Sequence, residues 1–533
     1  MSVHLPPLSL RYAVPVAVAS GALLWLAFPP IGAWPLALVG VALLSIATAG
    51  RSRRAGFALG LITGFAFYLP LLDWMQNVGM HAWIVLAVTQ TLATGVLGLA
   101  LSRTSTLTWW PLAQSCLWVA YEALRGRYPL GGFTWGRLAF SQSRSPLAPL
   151  AAVGGAPLVS FATAVIGLVL LWVLLAAQQR PRTARGYGPA LAALIVIIAG
   201  SAAIPLPAAA GGRQFTVAAI QGNVPALGLD TQTEDLVVTR NHADATKQLG
   251  RAVAAGEAPA PDLVVWPESS SDIDPRRDDR VGALVVDSAN AVNAPVLVGA
   301  VLDSDDGQIL NAGLLWDPVS GPGQMYVKQH LVPFGEYVPW RGLLRNRVQM
   351  LEDYIPRNFA PGSTPGVLTV GGVRVGDVIC FEVAYDGLVR DTVRDGAQLL
   401  VVQTNNATYM RGRDPAQTEQ QLEMGRLRAI EHGRAVVIAA TSGVSALIGP
   451  DGTTIARSGI FTQEQLVASL PVRSALTVAD RVGAWPELLV CCFAAAAVVL
   501  AARGRRRGLV RSTSEEHVVR HEPAVVPERG KVS

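Results

Sequence analysis

Charge is what this sequence has least of. Asp, Glu, Lys and Arg make up 15% of its 533 residues, against roughly 25% in an ordinary soluble domain. With 51% of the residues hydrophobic, a typical cytosolic globule and any disordered or collagen-like chain are excluded. Lysine is scarcer still, confined to Lys247, Lys328 and Lys531. The net charge of +5 therefore rests on arginine. No basic stripe with interleaved aromatics accompanies it, so nucleic acid is not an expected partner. Four cysteines are too few for a disulfide framework in a chain this long. Cys116, Cys491 and Cys492 sit in apolar runs, where a thiol behaves as a small hydrophobe. His4, His81, His242, His517 and His521 have no metal-ligand spacing. Phosphate-loop, dinucleotide and Gly-x-Ser-x-Gly patterns are also missing, so neither metal nor cofactor is expected.

Long apolar runs are what the sequence has instead. Seven come first, at Tyr12–Phe28, Trp34–Ala49, Ala55–Leu72, Ala82–Leu101, Thr106–Leu124, Pro157–Ala177 and Tyr187–Ile204, and an eighth spans Trp485–Ala502. Each approaches the ~20 residues a helix needs to cross a bilayer, which predicts eight transmembrane helices. Arg51, Arg53 and Arg54, Arg103, Arg180, Arg182 and Arg185, and Arg503, Arg505, Arg506, Arg507 and Arg511 mark alternate links, whereas Pro29–Ala33 and Gln76–His81 carry no Lys or Arg. The positive-inside rule then puts both termini in the cytoplasm and residues 211–479 outside it. The first run, with Arg11 before it and no obvious cleavage site after it, reads as an anchor rather than a signal peptide. The link Arg125–Gly155 breaks the charge rule with four arginines. Its Pro129, Gly131, Gly132, Pro146 and Pro149 suggest a re-entrant or interfacial arm. Asp73, Glu122 and Glu487 fall near the outer surface, within reach of lipid headgroups, although Glu122 is better placed to pair with Arg125 at i+3. The organisation read from these features is helices 1–7 over 1–210, an outer domain over 211–479, helix 8 over 480–502, and a basic, disordered tail over 503–533.

Residues 211–479 have a different rhythm. Phe215–Gln221, Asp262–Trp266, Pro295–Val301, Ile309–Trp316, Val373–Cys380, Gln398–Gln403 and Ala435–Thr441 read as strands. Glu234–Ala255, Arg276–Val292 and Pro415–Arg434 read as helices, and Gly449-Pro450-Asp451-Gly452 as a hairpin turn. No internal repeat stands out. The alternation predicts a layered α/β domain. Within it Cys380 ends a strand-like run and precedes Phe381-Glu382, the placement of a nucleophile at a strand-to-helix turn. An unperturbed thiol is mostly protonated at neutral pH, so a base is needed. Glu268 supplies a carboxylate just past the strand Val264-Val265-Trp266. Lys328 lies in an otherwise apolar, Pro-bounded stretch, where a buried ammonium could stabilise a tetrahedral anion and favour the thiolate.

These residues resemble the nitrilase superfamily, whose sites carry a Glu–Lys–Cys triad in that chain order. More closely, the chain is similar to the membrane-embedded branch of that superfamily, the apolipoprotein N-acyltransferases. The likeness rests on Gln221-Gly222-Asn223, Trp266-Pro267-Glu268, Lys328 with His330-Leu331-Val332-Pro333-Phe334-Gly335-Glu336, Cys380-Phe381-Glu382, and Arg428-Ala429-Ile430-Glu431 with Gly433-Arg434, in order and on an eight-helix topology. The resemblance implies an extracytoplasmic α-β-β-α sandwich, with Glu268 as general base, Lys328 as oxyanion stabiliser and Cys380 as nucleophile. It further implies Glu336 and Glu382 as supporting acids and the Phe381 amide as a second oxyanion donor.

The implied reaction moves an acyl chain from a phospholipid through a Cys380 thioester to the α-amine of a diacylglyceryl-modified cysteine on an apolipoprotein. It would take place at a bacterial plasma membrane, without a cofactor, in a monomer. Some relatives act beside a polyprenyl-phosphate mannosyltransferase, which makes such an enzyme a candidate associate. Two departures bear on the substrate groove. Asn405-Asn406-Ala407-Thr408-Tyr409 stands where the family often has Asn-Asp-Ala-Trp-Phe, and no Trp occurs between Val224 and Val265. The rival readings are a membrane-tethered amidase in which water resolves the thioester, a papain-like pairing of Cys380 with His330 or His432, and a transporter or scaffold with no chemistry. Mid-helix charges, which a transport path would need, are largely missing.

Overall fold

Hydrophobic runs become helices when nothing but their own backbone can satisfy their amides, and the first two hundred residues follow that rule. The computed structural model describes residues 3–179, 184–208, 212–224, 236–344, 355, 357–410 and 414–519. It places α1 at Leu10–Leu26, α2 at Pro35–Thr48, α3 at Arg53–Leu71, α4 at Met80–Thr104, α5 at Trp110–Arg125, α6 at Ala151–Gln179 and α7 at Ala184–Ala202. Each falls on one of the first seven apolar runs. Gly154 and Gly155 break the helical path inside α6, so the apolar part starts at Pro157 as the sequence suggests. Arg180 and Arg182, and the tail from residue 520, lie outside the described residues.

By length and composition, α3, α4, Ala148–Gln179 and Trp485–Arg503 are long and apolar enough to cross a membrane, whereas Leu10–Leu26, Pro35–Thr48 and Tyr187–Ala202 are shorter apolar helices. The packing of α3 on α4 depends on small residues, since lipid offers no hydrophobic gain to drive helices together. A Cβ on Gly60 would collide with the Thr94 carbonyl, and one on Gly98 with the Gly56 carbonyl.

The remaining chain is a sandwich of two six-stranded sheets. One runs β12-β1-β2-β3-β4-β5 and the other β11-β10-β9-β8-β7-β6. The strands of the first half are β1 Gln214–Gln221, β2 Leu263–Val265, β3 Val296–Asp303, β4 Ile309–Asp317, β5 Gly321–Val327 and β6 Val367–Val370. Those of the second half are β7 Val373–Ile379, β8 Leu399–Thr404, β9 Val436–Ala440, β10 Ala446–Ile448, β11 Thr454–Arg457 and β12 Glu464–Pro471. Three parallel strands form the centre of each sheet, β1-β2-β3 and β7-β8-β9. Gly449–Gly452 makes the predicted hairpin between β10 and β11. Val217, Val265, Val375, Val401 and Val437 meet in the core between the sheets.

Helices α8 (Val237–Ala254) and α9 (Asp279–Val292) cover the outer face of the first sheet. Glu234, the expected start of α8, lies outside the described residues. Helices α10 (Asp386–Arg394) and α11 (Ala416–His432) cover the second sheet, and their apolar residues share one core with the helical domain. The sandwich is thus α-β-β-α, with one helical layer seated on the membrane-type helices. The chain then returns in α12, Trp485–Val519.

The arm between α5 and α6 is clamped between these two parts. Arg125 donates to the carbonyls of Phe133 and Trp135 at 2.8 and 2.7 Å. It does not form the expected pair with Glu122, because its Nη1 is directed to the arm instead. Glu122 accepts from the Leu138 amide at 2.7 Å and lies 3.6 Å from Arg137 instead. Arg137 also binds Asp386 at the start of α10, and Arg127 reaches Glu487 of α12 at 2.5 Å. Gly60→Val should therefore destabilise the α3–α4 pair by ~1–3 kcal/mol or more, the usual cost of overpacking. It should lower the thermal midpoint of detergent-purified protein, whereas an unchanged midpoint would contradict the close packing.

Candidate active site

Three strands deliver one reactive group each to the same sandwich edge. Lys328 directly follows β5, Cys380 directly follows β7, and Glu268 follows β2 after Trp266-Pro267. All three are buried, Lys328 almost completely. Because β2 and β5 belong to one sheet and β7 to the other, the site exists only where the sheets face each other.

The lysine is the hub. Its Nζ donates to Glu268 Oε1 at 2.8 Å and to Glu336 Oε1 at 2.9 Å. Asn311 of β4 donates its amide to the same two oxygens at 2.8 and 2.6 Å. The outer oxygens are held by backbone amides, Glu268 Oε2 by Asn405 at 3.1 Å and Glu336 Oε2 by Val332 at 2.7 Å. Glu268 lies close enough to the Cys380 thiol for each to shift the other's titration, and Thr404 Oγ1 lies 3.4 Å from the sulfur.

Cys380 opens the short 3-10 turn Cys380–Ala384 with φ of +53°. That left-handed conformation is uncommon for a side chain with a Cβ and lifts the residue out of the strand's path. The turn is held by Glu382, which accepts from the amides of Ile379, Gln329 and His330 at 2.9, 2.8 and 2.9 Å and from the Tyr326 hydroxyl at 3.0 and 2.9 Å. Glu382 therefore grips the backbone just before the thiol and just beyond Lys328, whereas Glu336 grips the ammonium itself.

Electrostatics assign the resting protons. Burial pushes the Cys380 thiol up, and the neighbouring Glu268 charge outweighs the help of Lys328, taking it to about 12. For Glu268 burial acts upward too, but the Lys328 ammonium and the hydrogen bonds from Lys328 and Asn311 win, holding the carboxyl below its ordinary range. Lys328 is pushed down by burial and pulled well above its ordinary value by Glu268 and Glu336. Glu382 is raised by burial to about 7. The site at rest is a neutral thiol beside an ionised base and a locked ammonium.

Aromatic rings from the helical side wall the Cys380 turn. Phe381 stacks on Phe133 and Trp135 of the arm at 5.5 and 6.2 Å between centroids, with Tyr385 edge-on at 5.1 Å. Trp74 touches both Trp135 and Tyr409, and Asn77 donates to the Tyr409 carbonyl at 2.7 Å. The Asn405–Tyr409 segment, where the sequence departs from the family pattern, is thus part of the cleft. Asn405 holds Glu268, while Asn406 is tied to Gln417 and Gln421 at 2.6 and 2.9 Å.

His330 packs its ring on Tyr385 at 3.8 Å, and His432 binds Asp480 at 2.6 Å. Neither hydrogen-bonds Cys380 among the described residues, which leaves the papain-like pairing without support. No group of three or more His, Cys, Asp or Glu among the described residues could hold a metal. Sequence reasoning missed Asn311, Tyr326 and Thr404. Asn311 left a trace, a lone amide in the strand Ile309-Leu310-Asn311-Ala312-Gly313-Leu314-Leu315.

Two family profiles match the chain: the apolipoprotein N-acyltransferase N-terminal domain over residues 20–169 and carbon-nitrogen hydrolase over residues 216–479. The apolipoprotein N-acyltransferase of Mycolicibacterium smegmatis is 40% identical over 492 residues, covering 88% of this chain and 81% of that one. That of Geobacter metallireducens is 31% identical over 525 residues, covering 93% and 96%. An amidase of Nesterenkonia AN1 from the nitrilase superfamily aligns with a TM-score of 0.36 and 20% identity, over 50% of this chain and 94% of that one.

The charge balance makes an unusual demand on Glu268→Gln. Removing the anion that raises Cys380, while Lys328 stays charged, should lower the thiol's pKa by about one unit or more. At pH 9, alkylation of Cys380 by iodoacetamide, followed by mass spectrometry, should run about tenfold faster in the variant than in wild type. An unchanged or slower rate would show that Glu268 does not hold the thiol neutral.

Proposed function

The chain belongs to the apolipoprotein N-acyltransferase family, and on that premise we propose a two-step acyl transfer through Cys380 at the outer face of a bacterial plasma membrane. The enzyme is an acyltransferase whose substrates are a lipid and a lipoprotein. What carries the detailed reading is the buried Glu268–Lys328–Cys380 cluster walled by rings of the membrane-side arm.

In the first step Cys380 Sγ attacks an ester carbonyl of a phospholipid as Glu268 takes the thiol proton. The carbonyl oxygen becomes an anion facing Lys328 Nζ and the Phe381 amide, which stabilise it by preorganised charge. The C–O bond then breaks, the departing alkoxide recovers the proton from Glu268, and a lysophospholipid leaves behind a Cys380 thioester. In the second step the α-amine of the diacylglyceryl-cysteine attacks the thioester and gives a proton to Glu268. The C–S bond breaks, the sulfur is reprotonated, and the product is an N-acylated lipoprotein. Glu336 keeps the ammonium aligned through both steps, and Glu382 keeps the turn in place.

The membrane setting has an energetic reason. Both substrates are anchored by acyl chains, and each CH₂ drawn into water would cost ~0.8 kcal/mol. A site walled by the arm also shields the thioester from water. Eight crossings, cytoplasmic termini and an extracytoplasmic sandwich are the topology that arginine placement and the order of the helices support.

Intact mass analysis tests the scheme. Wild type incubated with a defined phospholipid should gain one acyl chain, and adding a diacylglyceryl lipopeptide should move that chain to the peptide amine. Cys380→Ser should show neither event, and Glu268→Gln should lose ~10²–10⁴ of the acylation rate. Free fatty acid with an unmodified peptide would favour the hydrolase, and acylated peptide from Cys380→Ser would overturn the scheme.

A further inference from the structure

A cavity of about 310 Å³ lies beside the catalytic turn, between the arm, the start of α10 and the head of α12. Arg127, Arg137, Arg390, His330 and Tyr385 are among the residues that line it. Its charges are unequally matched. Glu487 is engaged by Arg127 and Arg137, Asp386 by Arg137 and Arg428, and Glu431 by Arg428. Among the described residues Arg390 has no such partner. Its Nε is buried without a hydrogen bond, and its Nη2 folds back over Gly387 in the same wall. A buried guanidinium N–H left unpaired is costly, and an oxyanion is the group whose geometry a guanidinium fork fits.

The surroundings point to a lipid as the source of that anion. Trp485 and Leu489 at the head of α12 are 70% and 67% exposed, and Tyr128 beside Arg127 is 68% exposed. Aromatic and apolar side chains open at the end of a membrane-type helix belong to the headgroup level of a bilayer. The cavity also shares walls with the chemistry. Tyr385 lies edge-on to Phe381, the residue after the nucleophile, and the His330 amide binds Glu382.

We propose that this cavity is a phosphate subsite, in which Arg390, assisted by Arg127, holds the phosphodiester of a membrane phospholipid. The inference rests on the reading that a phospholipid is the acyl donor and adds the residues that recognise its headgroup. Arg390 is here a binding residue and takes no part in bond making.

The test uses full-length protein in lipid nanodiscs with two donors of the same acyl chains, phosphatidylglycerol and diacylglycerol. Thermal midpoints check that the variant is folded. Arg390→Gln should raise KM for phosphatidylglycerol about tenfold and leave kcat within about threefold, while KM for diacylglycerol changes less than about twofold. Soluble glycerophosphate should compete poorly. Native mass spectrometry should find phosphatidylglycerol retained by wild type and lost from Arg390→Gln.

Acyl-enzyme formation with both readouts insensitive to Arg390 would overturn the subsite and leave the donor reading standing. Arg390-dependent lipid retention without any acyl-enzyme would do the reverse. An equal rise in KM for both donors would reveal a packing defect and overturn the subsite. Full competition by glycerophosphate would assign the cavity to free phosphate and refute its lipid identity.

Discussion

One buried ammonium shared by two carboxylates organises this molecule. Lys328 sits between Glu268 and Glu336, and taking such charges out of water is tolerable only when every oxygen is paired. The two anions outnumber the cation, and the deficit is met by the Asn311 amide and the backbone amides of Asn405 and Val332. These three donors come from three different segments, Asn311 in β4, Asn405 just past β8 of the other sheet, and Val332 beyond β5. The cluster therefore locks the sheet edges in register and at the same time keeps Glu268 ionised. With the negative charge resting on Glu268, the neighbouring buried thiol is held neutral.

The second constraint is that the edge carrying Cys380 must be joined to the helical domain. The arm between α5 and α6 meets it by contributing rings that stack on Phe381, and it is held by charges as deeply buried as those of the site. Arg137 and Arg428 converge on Asp386, and although burial acts upward they hold that carboxyl well below its ordinary range. Asp386 lies six residues beyond Cys380, so the contact anchoring the arm and the turn presenting the thiol belong to one short stretch of chain. The layer α10–α11 and the helical domain share a hydrophobic core, which makes the sandwich and the helices one packed body at this junction.

Much of this was legible in the sequence. Apolar runs located α1 to α7 and α12, because a run with no polar break has few other ways to satisfy its backbone. Glu268 and Cys380, just past hydrophobic strands, and Lys328, in an apolar Pro-bounded stretch, are residues that the fold brings together, and the ordered motifs carried a resemblance that the family matches bear out. What escaped notice was long-range. Gly321-Pro322-Gly323 at the start of β5 reads as a turn, yet edge position lets those residues join a strand. Glu122 has an arginine at i+3, but tertiary contacts with the arm draw Arg125 away and bring Arg137 close. Tyr326 and Thr404 acquire their contacts only when the two sheets meet, so local pattern could not single them out.

The state of the thiol is the sharpest point of attack. Ultraviolet difference absorption between wild type and Cys380→Ser, recorded across a pH titration, reports thiolate directly. The account predicts no thiolate band at neutral pH and its appearance only in strongly alkaline solution, consistent with a thiol raised to about 12 beside an ionised Glu268. A thiolate band already present at neutral pH would mean that the proton rests on Glu268 before substrate binds, and the charge assignment at the centre of this site would be wrong.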